Sequence, residues 1–526
     1  PTDFEIGRDH ELPELVVIGL DGHMNDEAGE LAGLTQEEAG KRVLAWCEER
    51  GQLERTEPYR HSIGRCQRCH TRVEPLIMLQ WWCAMEELAA PAIASIREGR
   101  VRFTPERFAR VCLDWLENVR PWCISRQIWW GHRIPVWYCP DGHITVAETT
   151  PDACAECGST ELRQDEDVLD TWFSSALYPF ATLGWPERTP ELEAFYPGDV
   201  LTTARDIIFL WVARMIFAGL ELMGTEPFHD AVIHSYLQNP EGRRMSRTLG
   251  TGIDPDEVLE PYGADATRYG LLKMASSQDP RFSFGSIEEG RKLAIKLWNV
   301  SRLLLQNAEG AEPAERPQAL EERWILARLE VGRAELEDCL NRFDFAAAVK
   351  LLYRVTFDEF CDWYAEAVKP RLYDGDADAR ATALAALERL LKLLHIVMPH
   401  VTEEIWSRFH EDRLIVAPWP EPDDRYAADA EALDRVQDLA RIFRRSSVLV
   451  ELGGEERRIF DAVVKPGRVK ADGNAAAELE RLRGEVGRAE KMLANERFVE
   501  NAPEDVVEAE REKLERYRRE LDALSR

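Results

Sequence analysis

The sequence has few positive charges for its length, and it lacks a long uncharged hydrophobic run. Its 526 residues include 66 Lys and Arg against 96 Asp and Glu, a formal net charge of −30. This balance argues against a protein that coats nucleic acid nonspecifically. It does not exclude an enzyme that acts on nucleic acid, because local basic patches govern phosphate contacts. The longest apolar run, Ile207–Met223, carries Arg214 and Glu221, so it predicts a buried core helix and not a membrane span.

The chain begins without Met and shows no signal peptide, and its 11 cysteines include two Cys-x-x-Cys pairs. These features favour a reduced, cytoplasmic protein, and we interpret the sequence as a piece of a longer one. A hydrophobic content of 45% and a charged content of 31% are typical of a soluble globular protein. The length predicts roughly three or four domains of about 150 residues each.

The apolar pattern changes character along the chain. Between 197 and 285, strands at Asp199–Leu201 and Ala231–Leu237 are expected on either side of a helix, Asp206–Leu222. Such alternation predicts a parallel sheet with crossover helices. From 286 to about 445, nearly every segment has helical periodicity and a long apolar stripe, which predicts a helix bundle.

The last fifty residues carry two heptad stripes that are joined by a short loop around residues 501–503. The apolar positions are Leu479, Leu482, Val486, Ala489 and Leu493, then Val507, Leu514, Tyr517, Leu521 and Leu524. Two matched stripes with a short connection predict an antiparallel coiled coil. The alternative is a generic charged helical tail, which matched stripes do not favour.

The loop Gly242–Gly250 follows a predicted strand and precedes a helix signal that begins at Asp254. It places Arg244 and Arg247 on either side of a Met-Ser pair. Glycines allow the backbone to approach an anion, and fixed cations stabilise negative charge on a transferring phosphorus. The loop therefore predicts a polyphosphate site, although most basic loops in proteins are solvated surface.

Four soft ligands flank a short hairpin-like segment at residues 137–160, in the spacings Cys-x3-His and Cys-x2-Cys. They are Cys139, His143, Cys154 and Cys157. Such a set fits a tetrahedral structural Zn²⁺, and reduced buried thiols are the alternative. Cys66 and Cys69 form a second half-site, which we expect to lack a partner pair in this chain.

Three further stretches resemble the valyl-tRNA synthetases, a family of class I aminoacyl-tRNA synthetases. They are Asn118–Tyr138, Asp165–Leu177 and Arg205–Met215, and the resemblance extends over essentially the whole chain. It implies the second half of a Rossmann-like α/β catalytic domain, followed by an all-α anticodon-binding helix bundle and an antiparallel coiled-coil hairpin. It also implies ATP-driven activation of valine and its transfer to tRNA(Val) by a monomer, with ATP, Mg²⁺ and a structural Zn²⁺.

The domains implied by the resemblance are the end of an editing domain at 1–60, the catalytic half at 61–285, the bundle at 286–445, a reduced linker subdomain at 446–474 and a tRNA-binding arm at 475–526. The basic run Arg441–Arg445 and the outer cations of the arm are expected to contact tRNA phosphates. A solvated face of paired charges is the alternative for the arm.

The resemblance also assigns roles within the loop, where Arg244, Arg247 and Thr248 replace the Lys, Lys and Ser of the family's Lys-Met-Ser-Lys-Ser signature. Arginine keeps the charge but presents a planar fork. The implied catalytic residues are Arg244, Ser246 and Arg247, and the implied ATP contacts add Asp206, His234 and Met245. A satisfied core imidazole is the alternative for His234.

By the same resemblance, Trp130 and Trp172 line the amino-acid pocket, and Asp3 is the end of the editing motif. A flat apolar pocket selects valine by size but rejects threonine only weakly, which explains why such enzymes carry an editing domain. The rest of that domain is not found in this sequence, so we expect no editing by this chain.

The family's His-x-Gly-His motif is absent, since none of the 11 histidines lies in such a motif. We therefore expect the isolated chain to form no adenylate. Two alternatives stay open: a noncatalytic tRNA-binding protein derived from a synthetase, and an isoleucine-specific relative.

Overall fold

The computed structural model describes residues 2–66, 69–73, 76–246, 250–275, 278–466, 473–502 and 504–525. The strands in these ranges are β1 (Trp82–Cys83), β2 (Arg102–Thr104), β3 (Trp122–Cys123), β4 (Ser125–Arg126), β5 (Val136–Tyr138), β6 (Ile144–Val146), β7 (Arg163–Gln164), β8 (Val168–Leu169), β9 (Gly198–Ala204) and β10 (Phe228–His234).

The first ten α-helices are α1 (Thr2–Asp9), α2 (Gln36–Glu49), α3 (Met85–Arg97), α4 (Arg107–Glu117), α5 (Thr171–Ala176), α6 (Tyr178–Ala181), α7 (Pro190–Phe195), α8 (Ala213–Met223), α9 (Pro255–Tyr262) and α10 (Ala264–Lys273). They are followed by α11 (Phe284–Asn307), α12 (Leu320–Asn341), α13 (Phe345–Tyr353), α14 (Ala365–Tyr373), α15 (Ala377–Leu394), α16 (Pro399–Trp406), α17 (Asp434–Ser446), α18 (Gly454–Val464), α19 (Ala475–Leu493), α20 (Glu496–Asn501) and α21 (Glu504–Ser525). Within the described ranges, every helix is too short or too polar to span a bilayer.

The chain forms two compact units. The first comprises Pro1–Glu87 and Val119–Ser174, and the second comprises Leu88–Asn118 and Ser175–Arg526. In the first unit the strands form small antiparallel sheets, of which the largest has the order β6-β5-β7. The side chain of Trp137 in the central strand is buried, so this sheet gives the following Cys139 turn a fixed support.

The second unit contains a parallel sheet with the order β2-β10-β9, which confirms the predicted parallel arrangement. Strand β10 starts and ends three residues earlier than the predicted Ala231–Leu237. The chain leaves the sheet after His234 because the N–H of Tyr236 donates to the carboxylate of Asp279 (3.0 Å) instead of to a neighbouring strand.

Between β9 and β10 the chain forms one helical stretch, as predicted, but its first turns are irregular. A 3₁₀ turn at Arg205–Ile207 is followed by a π-helical segment at Ile208–Val212 and then by α8. Single π turns inside helices often occur at functional sites. The helix ends at Gly224, whose φ of +77° is the left-handed conformation that glycine adopts readily.

Helices α11 to α17 build the predicted bundle around one core. The stripe of α11 is fully buried at Leu293, Leu297 and Leu304. The region 446–474, predicted as a reduced linker, contains α18, whose Ile459 and Phe460 join the same core. These two apolar side chains give this short region its own attachment to the bundle.

One turn of α10 caps two helix ends of the bundle. The buried carboxylate of Asp265 accepts the N–H groups of His400 (3.1 Å) and Val401 (2.6 Å) in the first turn of α16. Arg268 donates to the carbonyl oxygens of Ile396 (3.2 Å) and Val397 (3.1 Å), just beyond α15. Because an acid favours a helix N-terminus and a cation a C-terminus, this turn fixes α10 to the bundle.

The two stripes of the tail pack as predicted. Helices α19 and α21 lie against each other, with Leu482, Ala489 and Val507 buried and the other stripe positions at least half-buried. The connection is longer than a simple loop because it contains the short helix α20.

Candidate nucleotide site and metal centre

Among the described residues, those predicted to contact ATP lie where two adjacent parallel strands end. His234 is the last residue of β10 and pairs in register with Ala204, the last residue of β9. Asp206 follows two residues later, and the loop Gly242–Gly250 follows β10 along the chain. Ligands of open α/β sheets bind outside the carboxyl ends of the strands, so this edge is the candidate nucleotide site.

Arg244 is held by a carboxylate and an aromatic ring at this edge. Its Nη2 lies 2.9 Å from Oδ2 of Asp206, and its guanidinium carbon lies 4.8 Å from the centre of the Tyr236 ring. Both members of the ion pair are open to solvent, with 69% of the Arg244 side chain and 40% of the Asp206 side chain exposed. A phosphate can therefore reach Arg244 without a rearrangement of the fold.

A second ion pair supports the first. Arg205 donates through both terminal nitrogens to Asp279 (2.9 and 2.5 Å), and its guanidinium also faces the Tyr236 ring at 5.5 Å. The hydrogen bond from Arg205 is the main cause that lowers the pKa of Asp279 below its ordinary value. Sequence reasoning missed these three residues. Arg205 was adjacent to a predicted site residue, but Asp279 and Tyr236 carry no motif.

The two ends of the loop are anchored by hydrogen bonds. Asn239 and Arg243 exchange hydrogen bonds of 2.8 Å across the turn at Gly242, which has a φ of +81°. At the other end, the Thr251 hydroxyl accepts the N–H of Ser246 (3.0 Å) and donates to the carbonyl of Arg244 (2.8 Å). Thr251 thus holds the loop backbone on both sides of Met245.

The remaining predicted ATP contacts have distinct surroundings. Met245 packs on a cluster around Val258 and Phe282, so a contact with ATP would come from its backbone. His234 is exposed, with Nδ1 3.0 Å from the carbonyl oxygen of Ser235; the alternative of a core imidazole is therefore wrong. Arg247 and Thr248 lie outside the described residues, and their roles stay predictions.

The predicted pocket and editing residues belong to the first unit. Trp130 is 90% exposed. Trp172 is half-buried, and its backbone N–H donates to Oδ1 of Asp170 (3.2 Å). The same buried carboxylate accepts from the indole of Trp122 (3.0 Å) and from Arg126 (2.5 Å). Asp3 lies in α1. The pocket and editing roles of these residues stay predictions.

The structure brings the four predicted metal ligands together, and their ligand atoms all lie within 4.8 Å of one another. The Sγ of Cys139 lies 3.5 Å from Nδ1 of His143 and 3.7 Å from the Sγ of Cys157. Tight turns close each half, with Gly142 and Gly158 at positive φ. Three sulfurs and one imidazole form a cluster that can hold a metal ion with tetrahedral coordination.

The environment of this cluster favours one thiolate, at Cys154. Hydrogen bonds from the backbone N–H groups of Cys157 and Glu156 lower the pKa of Cys154 to about 6. A backbone hydrogen bond from Ser159 lowers the pKa of Cys157, but burial and the thiols of Cys154 and Cys139 raise it to about 11 in sum. Thiolates are the form that binds metal. Among the described residues, Cys66 and Cys69 do not belong to any group of three or more metal-ligating side chains. Contact with the Thr71 hydroxyl (3.2 Å) lowers the pKa of Cys69 to about 7.

The basic run Arg441–Arg445 does not present a row of free cations. Ile442 and Phe443 are buried in the bundle core, and Arg441 and Arg445 form ion pairs with buried carboxylates. Arg444 is exposed and makes no ion pair with the described residues. The expected contact of this run with tRNA phosphates stays a prediction.

Three family models match the chain in succession. The model for tRNA synthetases class I (I, L, M and V) matches residues 21–283, and the anticodon-binding domain of tRNA ligase matches residues 322–453. The valyl tRNA synthetase tRNA binding arm matches residues 476–526. The chain belongs to the valyl-tRNA synthetase family. An α/β class I catalytic domain followed by a helical anticodon-binding region is confirmed as its fold class.

Curated relatives support the same assignment. The chain is 40% identical to the valine–tRNA ligase of Carboxydothermus hydrogenoformans, and the match covers 100% of this chain and 67% of the relative. It is 44% identical to the valine–tRNA ligase of Symbiobacterium thermophilum, over 88% of this chain and 54% of the relative. The chain thus spans about half to two thirds of the length of these relatives.

Among solved structures, the chain is similar to a methionyl-tRNA synthetase of Mycobacterium tuberculosis in complex with methionyl-adenylate. The TM-score is 0.51 at 17% identity, over 66% of this chain and 65% of that one. At this identity the likeness supports the fold alone.

Proposed function

We propose that this chain is the C-terminal part of a valine–tRNA ligase, which activates valine with ATP and transfers it to tRNA(Val). The observation that carries the proposal is the exposed Arg244–Asp206 pair at the carboxyl ends of two parallel strands. In the reaction, the valine carboxylate attacks the α-phosphorus of ATP and pyrophosphate leaves. The terminal adenosine of the tRNA then attacks the acyl carbon and releases AMP.

The protein contributes mainly position and charge to such a reaction. We assign Asp206 to the ribose hydroxyls of ATP and Arg244 to its phosphates. Because these two side chains now bind each other at 2.9 Å, the nucleotide replaces one exposed ion pair by two separate contacts. Arg247 is proposed to stabilise the charge that develops on the α-phosphate, with Ser246 and the backbone of Met245 beside it.

Magnesium is expected to arrive with ATP. In the described part of the site, Asp206 and Asp279 are already paired with Arg244 and Arg205. These carboxylates therefore do not make a ready site for the ion, and no step is assigned to it. Trp130 and Trp172 are proposed to select valine, and editing through Asp3 is not expected of this chain alone.

We further propose that Cys139, His143, Cys154 and Cys157 hold one structural Zn²⁺. Support comes from the mutual distances of the four ligand atoms and from the lowered pKa of Cys154. Elemental analysis of the purified chain should give about one zinc per molecule. The double variant Cys154→Ser, Cys157→Ser should lose the metal and some thermal stability, whereas Cys66→Ser is the matched control. A metal-free and fully stable wild-type chain would leave reduced thiols as the explanation.

The decisive experiment joins this chain to the part of the Carboxydothermus relative that has no counterpart in this chain, and the fusion is called the completed chain. Valine-dependent exchange of pyrophosphate into ATP and charging of tRNA(Val) are expected, and the isolated 526 residues should show neither. Exchange that depends on isoleucine would favour an isoleucine-specific enzyme. Tight tRNA binding without exchange would favour a noncatalytic tRNA-binding protein.

The arm is proposed to contact tRNA as well. Deleting residues 475–526 should weaken the binding of tRNA(Val) and flatten its dependence on salt, while valine activation by the completed chain continues. A cytoplasmic location and a monomeric state complete the proposal. The location is supported by the 11 cysteines, all in the described part of the chain, of which none forms a disulfide.

A further inference from the structure

The base of the C-terminal arm is joined to the helix bundle by a cluster of ion pairs between three helices. The residues are Asp438, Arg441 and Arg445 of α17, Glu478 and Arg481 of α19, and Arg519 and Glu520 of α21. All seven belong to the described part of the second compact unit. The cluster therefore connects the bundle with both helices of the arm.

The acidic members of the cluster are almost fully buried. Asp438 is 2% exposed, Glu478 is 5% exposed and Glu520 is 1% exposed. A carboxylate that is removed from water without a cationic partner is strongly unfavourable. The position of each of these three groups thus depends on the arginines around it.

Arg445 contacts both helices of the arm with one guanidinium. Its Nε donates to Oε1 of Glu478 at 2.9 Å, and its Nη2 donates to Oε2 of Glu520 at 2.9 Å. The rigid, planar fork of arginine suits two acceptors at once. Arg445 is the residue through which α17, α19 and α21 meet.

The other arginines balance the remaining charge. Arg481 donates to both carboxylate oxygens of Glu478 at 3.0 Å. Arg441 pairs with Asp438 and also lies 3.7 Å from Glu520, and Nε of Arg519 lies 3.9 Å from Asp438. Four cations surround three carboxylates, so none of the buried acids lacks a neighbour of opposite charge.

Apolar packing continues the bundle core into the base of the arm. Leu482 and Ala523 are buried in the same core as Phe443 and Phe460. Near the turn of the arm, by contrast, Met492 and Val506 are exposed. The arm is thus attached at its base and not along its length.

We propose that Arg445 is a positioning residue for tRNA, which locks both helices of the arm onto α17 and so holds the arm in one orientation. The proposal rests on the proposed function, in which the arm contacts tRNA. A surface that is held in its binding orientation loses less conformational freedom on binding than one that moves. In this role Arg445 acts through Glu478 and Glu520, and the proposal requires no contact of its own with RNA.

The test replaces Arg445 by Met in the 526-residue chain, which removes the charge and keeps much of the length. Hydrogen exchange of the backbone should become about tenfold faster in the bases of α19 and α21, and remain unchanged in α15. The Kd for an in vitro transcript of tRNA(Val) should rise about five- to tenfold. If Arg445→Met does not fold, Arg445→Lys, which keeps a charge but not the fork, serves for the same comparison.

Two further variants separate positioning from a direct contact with RNA. Arg445→Met combined with Glu478→Gln and Glu520→Gln also removes the two buried charges that have lost Arg445, so slow exchange and tRNA affinity should both return. Arg444→Met is the matched control, since Arg444 is exposed beside the cluster, and it should leave exchange in the arm unchanged. A triple variant that regains slow exchange but not tRNA affinity would show that Arg445 contacts the RNA itself and would overturn the proposal.

Deletion of residues 475–526 distinguishes failure of this proposal from failure of the proposed function. If the deletion weakens tRNA binding but Arg445→Met changes neither exchange nor affinity, the positioning role is wrong and the RNA-binding arm stands. If the deletion leaves tRNA affinity unchanged, the arm has no role in binding and the positioning role falls with it.

Discussion

Arg244 and Arg445 lie in the two basic runs of this chain, and each has a carboxylate oxygen at 2.9 Å. Their partners differ in exposure. Asp206, the partner of Arg244, has 40% of its side chain exposed, whereas Glu520, a partner of Arg445, has 1% exposed. The first pair lies at the open edge of a parallel sheet, and the second lies between three packed helices.

This difference in exposure predicts different roles for the two arginines. Arg244 is predicted to bind a ligand, and Arg445 to stabilise the packing of helices. An exposed ion pair in water contributes little to stability and exchanges easily for a ligand. A buried pair cannot be opened without leaving a charge in an apolar environment. A basic run therefore predicts ligand contacts only where its carboxylate partners remain in solvent.

The largest expected effect comes from making the same substitution in both regions. Arg445→Met should lower the free energy of unfolding by about 3–5 kcal/mol, because it leaves two buried carboxylates without their shared cation. Arg244→Met should change it by less than about 1 kcal/mol, because its ion pair is exposed. Urea denaturation of both variants measures the two changes in the free energy of unfolding. Equal losses in the two variants would contradict the distinction between the exposed pair and the buried pair.

A loop arginine should affect catalysis instead of stability. Arg247→Ala in the completed chain should lower the rate of pyrophosphate exchange about a hundredfold, or ~3 kcal/mol, since one charge that stabilises the transition state is lost. The affinity for valine should change much less. An unchanged turnover number would count against the role assigned to this loop.

Acid should weaken the buried cluster at the base of the arm. Burial raises the pKa of Glu478, but hydrogen bonds from Arg481 and Arg445 lower it by more. The pKa of this carboxyl therefore lies below its ordinary value. A lowered carboxyl pKa gives stability that is present above the unfolded-state value and is lost as the pH falls through the folded-state value. Urea titrations at pH 7 and pH 4 should show this loss in the wild-type chain and a smaller one in Glu478→Gln. If the free energy of unfolding falls by the same amount between pH 7 and pH 4 in both proteins, Glu478 is not the source of the loss.

The smallest effect is expected on the surface of the arm. Arg518 pairs with Glu490 at 2.7 Å, and about half of each side chain is exposed. Arg518→Gln should therefore change stability by less than about 0.5 kcal/mol. If Arg518 faces tRNA phosphates, the same variant should reduce the salt dependence of tRNA binding by about one unit of slope. A large loss of stability would show that exposure does not distinguish ion pairs that contribute little to stability from those that contribute much.

Local patterns predicted much of this molecule. Helix α2 (Gln36–Glu49) begins with reciprocal hydrogen bonds between Thr35 and Glu38, a capping pattern set by two residues three positions apart. The stripe of Leu293, Leu297 and Leu304 is buried, as its helical spacing predicts. Tight turns encoded beside Cys139 and Cys154 bring each of them to the second ligand of its own half, His143 and Cys157.

Partners that are distant in the chain escaped prediction. Asp279 holds Arg205 across 74 residues, and Glu520 holds Arg445 across 75. No local signal marks such pairs, since their formation depends on how the helices and strands pack. The position of Met245 in an apolar cluster is another example.

By itself, the sequence determined the family, the α/β-to-helical order, the four candidate metal ligands and the loop that follows β10, because residue type and spacing along the backbone are local properties. Only the tertiary structure decided which arginines face solvent and which bind buried acids. The same guanidinium group forms an exposed ion pair beside Asp206 and a pair with an almost fully buried carboxylate beside Glu520. The reason for the difference is the removal of water from the carboxylate when helices pack.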